Sequence, residues 1–165
     1  MSVVAAKVYT DRIDIAADSI LVRGWSTQIA NGFSKLNKIN GMIIGGSGSA
    51  QELSLMWHYM ETHKPAAPTE KDMLAFVIEF SKWKRDLTGD GSMENLYIMA
   101  YDGHLFQVER MFVVEVTDYC AVGAGEDYAR TALYLGHTPK EAVRAACELC
   151  CFVAEPIVEL SMTKG

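Results

Sequence analysis

The sequence has little positive charge. Among its 165 residues, 15 Lys and Arg stand against 21 Asp and Glu, so the formal net charge is -6. A protein whose main partner is nucleic acid needs a basic face to neutralise phosphates. The charge balance therefore argues against nucleic acid as a partner.

Long apolar runs are also lacking. No stretch of the sequence approaches the roughly 20 apolar residues that a membrane-spanning helix needs. The first residues, MSVVAAKV, contain no basic segment followed by an apolar one, as a signal peptide would. We therefore expect a cytoplasmic protein with no membrane partner.

Cysteine is scarce, with four in the chain, at Cys120, Cys147, Cys150 and Cys151. The last three lie in ACELCC, where a CxxC spacing is compatible with a redox pair or with half of a zinc site. No second Cys or His pair has matching spacing, so zinc is disfavoured. Because PKEAVRAACELCCFVAE is typical of a single helix, we expect reduced, buried thiols that pack as small hydrophobes.

Several catalytic and binding motifs are incomplete. The glycine-rich GGSGSA (45–50) lacks the Lys-Ser/Thr ending of a phosphate-binding loop, which favours a tight strand-to-helix turn. The segment starting at Asp86 resembles a calcium loop, but its twelfth position is Tyr97 instead of an acid, which favours a solvated loop. No GxSxG is present, and the four histidines are expected on solvated helix surface. We therefore expect neither a metal nor a cofactor.

The chain offers enough apolar residues, half of its composition, for one domain over 1–165 with a sizeable core. Its pattern predicts strands, two helices, more strands, two more helices and a last strand. Runs of strands and helices segregated in this way are typical of an α+β layered domain.

The element predictions rest on local signals. A β-hairpin is predicted over about 3–18, and Asp102-Gly103 is the strongest short hairpin signal. Residues 23–41 are predicted as a loop with a short strand at Ser34–Leu36. Helix starts are predicted at the caps Ser49, Thr69 and Thr138-Pro139. The remaining predictions are a strand at 42–44, a strand in YCAVGAG, a helix over Tyr128–Leu135 and a last strand in PIVELSM.

The N-terminal segment carries the one complete set of reactive groups. If Met1 is removed, Ser2 presents a hydroxyl and a free α-amine, which can act as nucleophile and base on one residue. A nearby lysine would lower the pKa of such an amine, and a carboxylate would hold the lysine. Asp18, at the end of IDIAAD, and Lys35, in FSKLNKI, are candidates for these two roles.

These segments resemble the proteasome β-subunits, most of all the HslV-like bacterial peptidases of the N-terminal nucleophile (Ntn) hydrolase superfamily. The resemblance lies in SVVAAKVYTDRIDIAAD, with its strand ending in Ala-x-Asp, and in KLNKINGMIIGGSGSAQE. It continues in AVGAGEDYA, which matches a Gly-Ser-Gly-x-x-Tyr-Ala pattern, and in TPKEAVRAACELCC. The AVGAGEDYA segment is the most specific of these, because its glycines, Tyr128 and Ala129 fall in register.

The resemblance implies an α+β fold of four layers, an αββα sandwich with two antiparallel sheets between helix layers. It implies peptide-bond hydrolysis with Ser2 as nucleophile, Asp18 and Lys35 as the supporting charged pair, and the Gly48 N–H stabilising the oxyanion. It places Gly123, Ala124 and Gly125 in the turn that positions the N-terminus. It also implies a homo-oligomer of stacked rings, peptide or unfolded-protein substrates and a separate ATPase unfoldase.

The chain departs from the family pattern at two positions. Serine at Ser2 stands where the family has threonine, so the methyl group that restricts the hydroxyl rotamer is missing. Ala124 stands where the family has a serine that helps to position the N-terminus. Two interpretations therefore remain open, an Ntn peptidase and a non-catalytic ring or scaffold protein with the same fold.

Overall fold

The computed structural model describes residues 1–29 and 33–165. In these residues the chain forms eleven strands and four helices. The strands are β1 (Val3–Val8), β2 (Arg12–Ala17), β3 (Ile20–Arg23), β4 (Ser26–Ile29), β5 (Leu36–Ile39), β6 (Met42–Ser47), β7 (Leu96–Tyr101), β8 (His104–Glu109), β9 (Phe112–Val116), β10 (Tyr119–Gly123) and β11 (Val158–Thr163). The helices are α1 (Ala50–Met60), α2 (Glu70–Thr88), α3 (Glu126–Tyr134) and α4 (Pro139–Leu149).

Two antiparallel sheets form the centre of the molecule. The first has the strand order β10-β1-β2-β11, and the second has the order β5-β6-β7-β8-β9. Strands β3 and β4 pair with each other as a separate hairpin. The first strand, β1, is therefore an interior strand of its sheet, with β10 on one side and β2 on the other.

The two sheets pack face to face, and each carries a pair of helices on its outer face. Val4, Ile15 and Ile43 belong to the apolar layer between the sheets. Helices α1 and α2 pack on the five-stranded sheet through a layer that includes Met56 and Phe80. Helices α3 and α4 cover the four-stranded sheet through a separate apolar layer. This is the predicted αββα sandwich.

Strand β1 has no polar face because both of its sides are covered. Val4 and Ala6 face the other sheet, whereas Val3 and Ala5 face α3 and α4. Side chains of a strand alternate between the two faces of a sheet, so burial on both faces requires a continuous apolar run. This position explains why the four residues following Ser2, Val3 to Ala6, are all apolar.

The signals at turns and helix starts are confirmed. Strands β1 and β2 form the predicted first hairpin, and Asp102-Gly103 links β7 to β8 with positive φ at both residues. Ser49, Thr69 and Thr138 each cap a helix with a side chain that accepts a backbone N–H. Strand β11 begins inside the predicted PIVELSM region and ends one residue after it.

Three predictions were wrong in extent. The loop predicted over 23–41 contains β4 and β5, and the strand expected at Ser34–Leu36 begins at Leu36 instead; Ala30, Asn31 and Gly32 lie outside the described residues. The glycine-rich turn begins later than expected, because Gly45, Gly46 and Ser47 continue β6. The helix expected through residue 155 ends at Leu149, where Cys150 takes an extended conformation.

The thiols and histidines are only partly as expected. All four cysteines are free, and Cys120 is buried, but Cys151 is exposed, so the prediction of uniformly buried thiols was wrong. The four histidines are exposed, as expected, but only His58 lies on a helix: His104 lies on a strand, and His63 and His137 lie in connecting segments. Across residues 1–29 and 33–165, no helix combines the length and apolarity that crossing a membrane requires.

Candidate active site

Three elements bring Ser2, Asp18 and Lys35 to one end of the β-sandwich. Ser2 immediately precedes β1, Asp18 immediately follows β2, and Lys35 immediately precedes β5. All three residues are buried, with no more than 3% of each accessible to solvent. Lys35 Nζ donates to both carboxylate oxygens of Asp18 at 2.9 Å. The structure therefore brings Ser2, Asp18 and Lys35 together at one end of the sandwich.

The Asp18 carboxylate is held by the backbone as well as by Lys35. Its Oδ1 accepts the Val3 N–H at 2.9 Å, and its Oδ2 accepts the N–H groups of Ile20 and Ala154 at 3.4 Å each. A buried carboxylate needs such partners, because its oxygens have lost water. The bond from Val3 also ties the carboxylate to the residue next to Ser2.

The electrostatics of the site act on the amino group at the start of the chain. Burial lowers the pKa of Lys35, and the neighbouring Asp18 opposes that shift. Burial and the Lys35 cation lower the pKa of the Met1 α-amine, while Asp18 opposes the change. Lys35 Nζ also approaches the Met1 carbonyl oxygen at 3.5 Å, and the Ser2 hydroxyl donates to that same oxygen. The α-amine of the chain and the Ser2 hydroxyl therefore share one charged environment.

A pocket of about 270 Å³ opens beside Ser2. Ser2 and Lys35 line it together with Gly48, and its apolar lining is Ile20, Leu21, Val22, Phe33, Ala50 and Leu53. The pocket therefore places a recess with both apolar and polar walls, the latter including Arg23 and Ser49, directly against Ser2 and Lys35.

Gly48 lies in the turn between β6 and α1 with a φ of 138°, a conformation that side chains rarely adopt. A Cβ at this position would lie 3.1 Å from the Asn95 Cα and would collide with the Asn95 side-chain amide. No partner for the Gly48 N–H is found within the described ranges. The turn therefore offers a backbone donor on the lining of the pocket.

The segment Gly123-Ala124-Gly125 lies against the backbone of Ser2. The Gly125 N–H donates to the Ser2 carbonyl oxygen at 3.2 Å. Gly123 has a φ of 104°, and a Cβ there would collide with the same carbonyl oxygen. Ala124 is exposed, and its carbonyl oxygen accepts the Cys150 thiol at 3.6 Å. The turn therefore positions Ser2 through backbone contacts alone.

Sequence reasoning missed a buried polar cluster next to this site. Glu52 accepts the Lys84 ammonium at 3.2 Å, and the side chain of Asn95 lies against the Gly48 turn. A signal was present in the sequence, because Glu52 precedes Met56 by four residues and Lys84 follows Phe80 by four. Opposite charges on the apolar faces of two neighbouring helices indicate a buried ion pair.

Comparison with solved structures shows the fold. The chain superposes on BPH from Thiobacillus denitrificans with a TM-score of 0.89 at 19% identity, covering 99% of this chain and 98% of BPH. It superposes on eukaryotic HslV from Trypanosoma brucei with a TM-score of 0.74 at 18% identity, covering 98% and 99%. Anbu, an ancestral β-subunit from Yersinia bercovieri, gives a TM-score of 0.70 at 14% identity, covering 98% of this chain and 82% of Anbu.

These three structures define a proteasome-like class within the N-terminal nucleophile hydrolases. The chain has the fold of that class over essentially its whole length. BPH has also been solved in complex with epoxomicin. No family model and no curated protein matches the sequence.

Proposed function

We propose that the protein is an Ntn hydrolase that cleaves peptide bonds, with Ser2 as its nucleophile once Met1 has been removed. The observation that carries the proposal is the position of Ser2 beside a buried Asp18–Lys35 pair, on the lining of a pocket. The arrangement supplies a nucleophile, a base on the same residue and a cation that tunes the base.

Each step of the proposed reaction uses a group of this site. The Ser2 Oγ forms a bond to the peptide carbonyl carbon, while its proton passes to the Ser2 α-amine directly or through one water. The carbonyl oxygen becomes an oxyanion, which the Gly48 N–H stabilises. Collapse of this intermediate breaks the C–N bond, and the ammonium of Ser2 returns the proton to the departing amine. Water then hydrolyses the remaining ester.

Lys35 and Asp18 prepare the amine for this role. An unperturbed α-amine has a pKa of about 8 and is mostly protonated at neutral pH. Burial, and then the Lys35 cation, disfavour a positive charge on the amine and so lower that pKa, as they do for the Met1 α-amine. Asp18 holds Lys35 in place with two hydrogen bonds.

The pocket indicates the kind of substrate. Its walls combine apolar side chains such as Leu21 and Leu53 with the charged side chains Arg23 and Lys35, and it lies directly beside Ser2. An extended peptide whose apolar side chain enters the recess would bring its following peptide bond to the hydroxyl. We therefore propose unfolded polypeptides and peptides as substrates. Because BPH, which has a similar fold, has been solved in complex with epoxomicin, we propose epoxomicin as a probe ligand for this protein.

A second candidate function is a scaffold protein with the same fold and without catalysis. Ala124 favours it, because the family serine that positions the N-terminus is absent and the turn contacts Ser2 through its backbone only. The same outcome follows if Met1 stays in place, since its carbonyl oxygen then accepts the Ser2 hydroxyl.

We further propose that the protein assembles into a homo-oligomer, arranged as stacked rings that work with a separate ATPase. Large apolar side chains are exposed on and beside the outer helices, namely Tyr128, Tyr134, Leu135, Leu149 and Phe152. Apolar surface clustered in this way is typical of interfaces. Sedimentation at micromolar concentration should show a species several times the mass of the chain, and a monomer alone would contradict the ring.

The catalytic proposal is tested with protein whose first residue is Ser2. We expect hydrolysis of small fluorogenic peptides, with loss of about a thousandfold or more in the Ser2→Ala variant because the nucleophile is gone. Ser26→Ala, an exposed serine at the start of β4, is the matched control and should keep full activity. Equal hydrolysis by Ser2→Ala and the wild type would exclude Ser2 as the nucleophile.

A further inference from the structure

The turn that carries Gly48 is clamped by one side chain from another element. The Ser49 N–H donates to Asn95 Oδ1 at 2.6 Å, and Asn95 Nδ2 donates to the Ser49 carbonyl oxygen at 2.9 Å. The amide of Asn95 thus satisfies both backbone groups of one residue. Such a paired contact fixes the peptide plane that joins Gly48 to Ser49, and this plane is linked through the φ and ψ of Gly48 to the plane that carries the Gly48 N–H.

Asn95 also forms the surface on which Gly48 rests. It is completely buried, and the space in which Gly48 would carry a Cβ is filled by the Asn95 side chain and backbone. A glycine with positive φ has many conformations open to it when it is unconstrained. The close packing against Asn95 restricts Gly48 to a single one of these conformations.

Asn95 is itself anchored to the buried cluster of Glu52 and Lys84. The Asn95 N–H donates to Glu52 Oε1 at 3.1 Å. Glu52 also accepts the Lys84 ammonium at 3.2 Å and the Tyr97 hydroxyl at 2.9 Å. Its own N–H donates to the Ser49 hydroxyl at 3.3 Å, so the contacts close a ring from Ser49 through Asn95 and Glu52 back to Ser49.

A buried ion pair of this kind contributes little net stability, because the desolvation of both charges opposes their attraction. Its better-supported use is to fix one geometry among several. Here the geometry that it fixes is the turn on the lining of the pocket next to Ser2.

We propose that Asn95 is a positioning residue for peptide hydrolysis, acting through Gly48. This proposal rests on the proposed function, because it assumes that the Gly48 N–H stabilises an oxyanion formed at Ser2. An oxyanion donor must be held within about 0.5 Å of its productive position, and a flexible turn would not hold it. Asn95 supplies that rigidity without touching the substrate.

The test compares Asn95→Ala with Thr138→Ala in protein that begins at Ser2. Thr138 caps α4 and has no contact with the Gly48 turn, so its variant controls for a general loss of stability. We expect Asn95→Ala to lower kcat about tenfold to a hundredfold with KM changed less than about twofold, because the oxyanion forms only in the transition state. The pH dependence of kcat/KM should stay as in the wild type, since Asp18 and Lys35 are untouched.

A second measurement detects the paired hydrogen bonds between Asn95 and Ser49 without relying on activity. Hydrogen exchange of the Ser49 amide should become at least about tenfold faster in Asn95→Ala and remain unchanged in Thr138→Ala, because only the first variant removes its acceptor. Unchanged exchange at Ser49 would overturn the clamp itself.

The outcomes separate this inference from the proposed function. If the Ser2-first wild type hydrolyses peptides and Asn95→Ala has the same kcat as Thr138→Ala, Asn95 is not a positioning residue and the proposed function stands. A rise in KM that accounts for the whole loss would also overturn it, because the role would then be binding. If the wild type itself is inactive, the proposed function fails, and the positioning role fails with it.

Discussion

In the proposed reaction, the protonation of the Ser2 α-amine decides whether Ser2 can react. A protonated α-amine cannot take the hydroxyl proton, so the rate follows the fraction of neutral amine. Burial and the Lys35 cation lower the pKa of the Met1 α-amine from its usual 8.0. After removal of Met1 the amine is the Ser2 nitrogen, which in this structure is bonded to the Met1 carbonyl group that Lys35 Nζ approaches at 3.5 Å, and we expect the same two causes to act on it.

The resulting prediction concerns the pH profile of the Ser2-first protein. Because the amine pKa is lowered, kcat/KM should rise with pH through a single step centred below pH 8.0 and then level off. The measurement is kcat/KM for a small peptide from acidic to mildly alkaline pH. A step centred at or above pH 8.0 would show that the Lys35 environment does not act on the base.

The membership of residues in the candidate site was predictable from sequence only where a motif indicated it. Asp18 ends a strand with the Ala-x-Asp pattern and Lys35 precedes an apolar strand, and both lie at the site. Asn95 could not be found in this way, because an asparagine before a strand looks like any other loop residue. Its role depends on a contact between positions 46 residues apart, Ser49 and Asn95.

At the scale of elements, the junction between β10 and α3 determines where Ser2 sits. Gly123 ends β10 with positive φ, and the carbonyl oxygen of Ser2 occupies the space where its Cβ would be. Gly125 donates to that oxygen from the start of α3. The end of one strand and the beginning of one helix thus hold the residue before β1.

Substitution of Gly123 tests this junction. Gly123→Ala should lower both the free energy of unfolding and kcat, because the new Cβ must displace the Ser2 backbone. Gly136→Ala is the matched control, since Gly136 has a similar φ of 96° with nothing within 4 Å of a Cβ. It should cost about 1–2 kcal/mol of strain and leave kcat unchanged. Equal kcat in the two variants would contradict the positioning role of the junction.

Helices and turns with strong local sequence signals were predicted well, whereas the strands within residues 23–41 were not. The helix caps and the Asp102-Gly103 turn depend on residues next to one another in the sequence, so their conformations do not depend on the rest of the fold. Asn40-Gly41 makes the same kind of turn, with φ of 50° and 81°, yet it joins strands in a polar segment and was predicted as loop. The β3–β4 hairpin is largely exposed, and Trp25 at its turn is fully exposed. Its sequence therefore lacks the alternation of apolar and polar residues that marks a half-buried strand.

At the scale of the whole molecule, the sandwich gives the N-terminal segment an unusual place. Strand β1 lies inside its sheet, between β10 and β2, and it is buried on both faces. The first residues of a chain are commonly frayed unless they are tied down. Here the fold fixes Ser2 by pairing the residues that follow it, so the start of the chain can serve as a rigid reactive group.

The α+β layered class followed from the segregated strands and helices, whereas the four-layer αββα arrangement was implied by the family resemblance. The pairing of β11 with β2 and of β10 with β1 did not follow, since both join segments far apart in the chain. These long-range pairings bring Gly123 and Ala154 to the site, where they contact Ser2 and Asp18. Sequence pattern alone does not specify such contacts.

The central claim is that cleavage of the bond between Met1 and Ser2 creates the active group. The most direct measurement compares peptide hydrolysis by two preparations of one protein, one beginning at Ser2 and one retaining Met1, each verified by intact mass. We predict hydrolysis by the Ser2-first protein and at least about a thousandfold less by the Met1 protein, because its Ser2 has no free amine. Equal hydrolysis by both preparations, or none by either, would contradict the account.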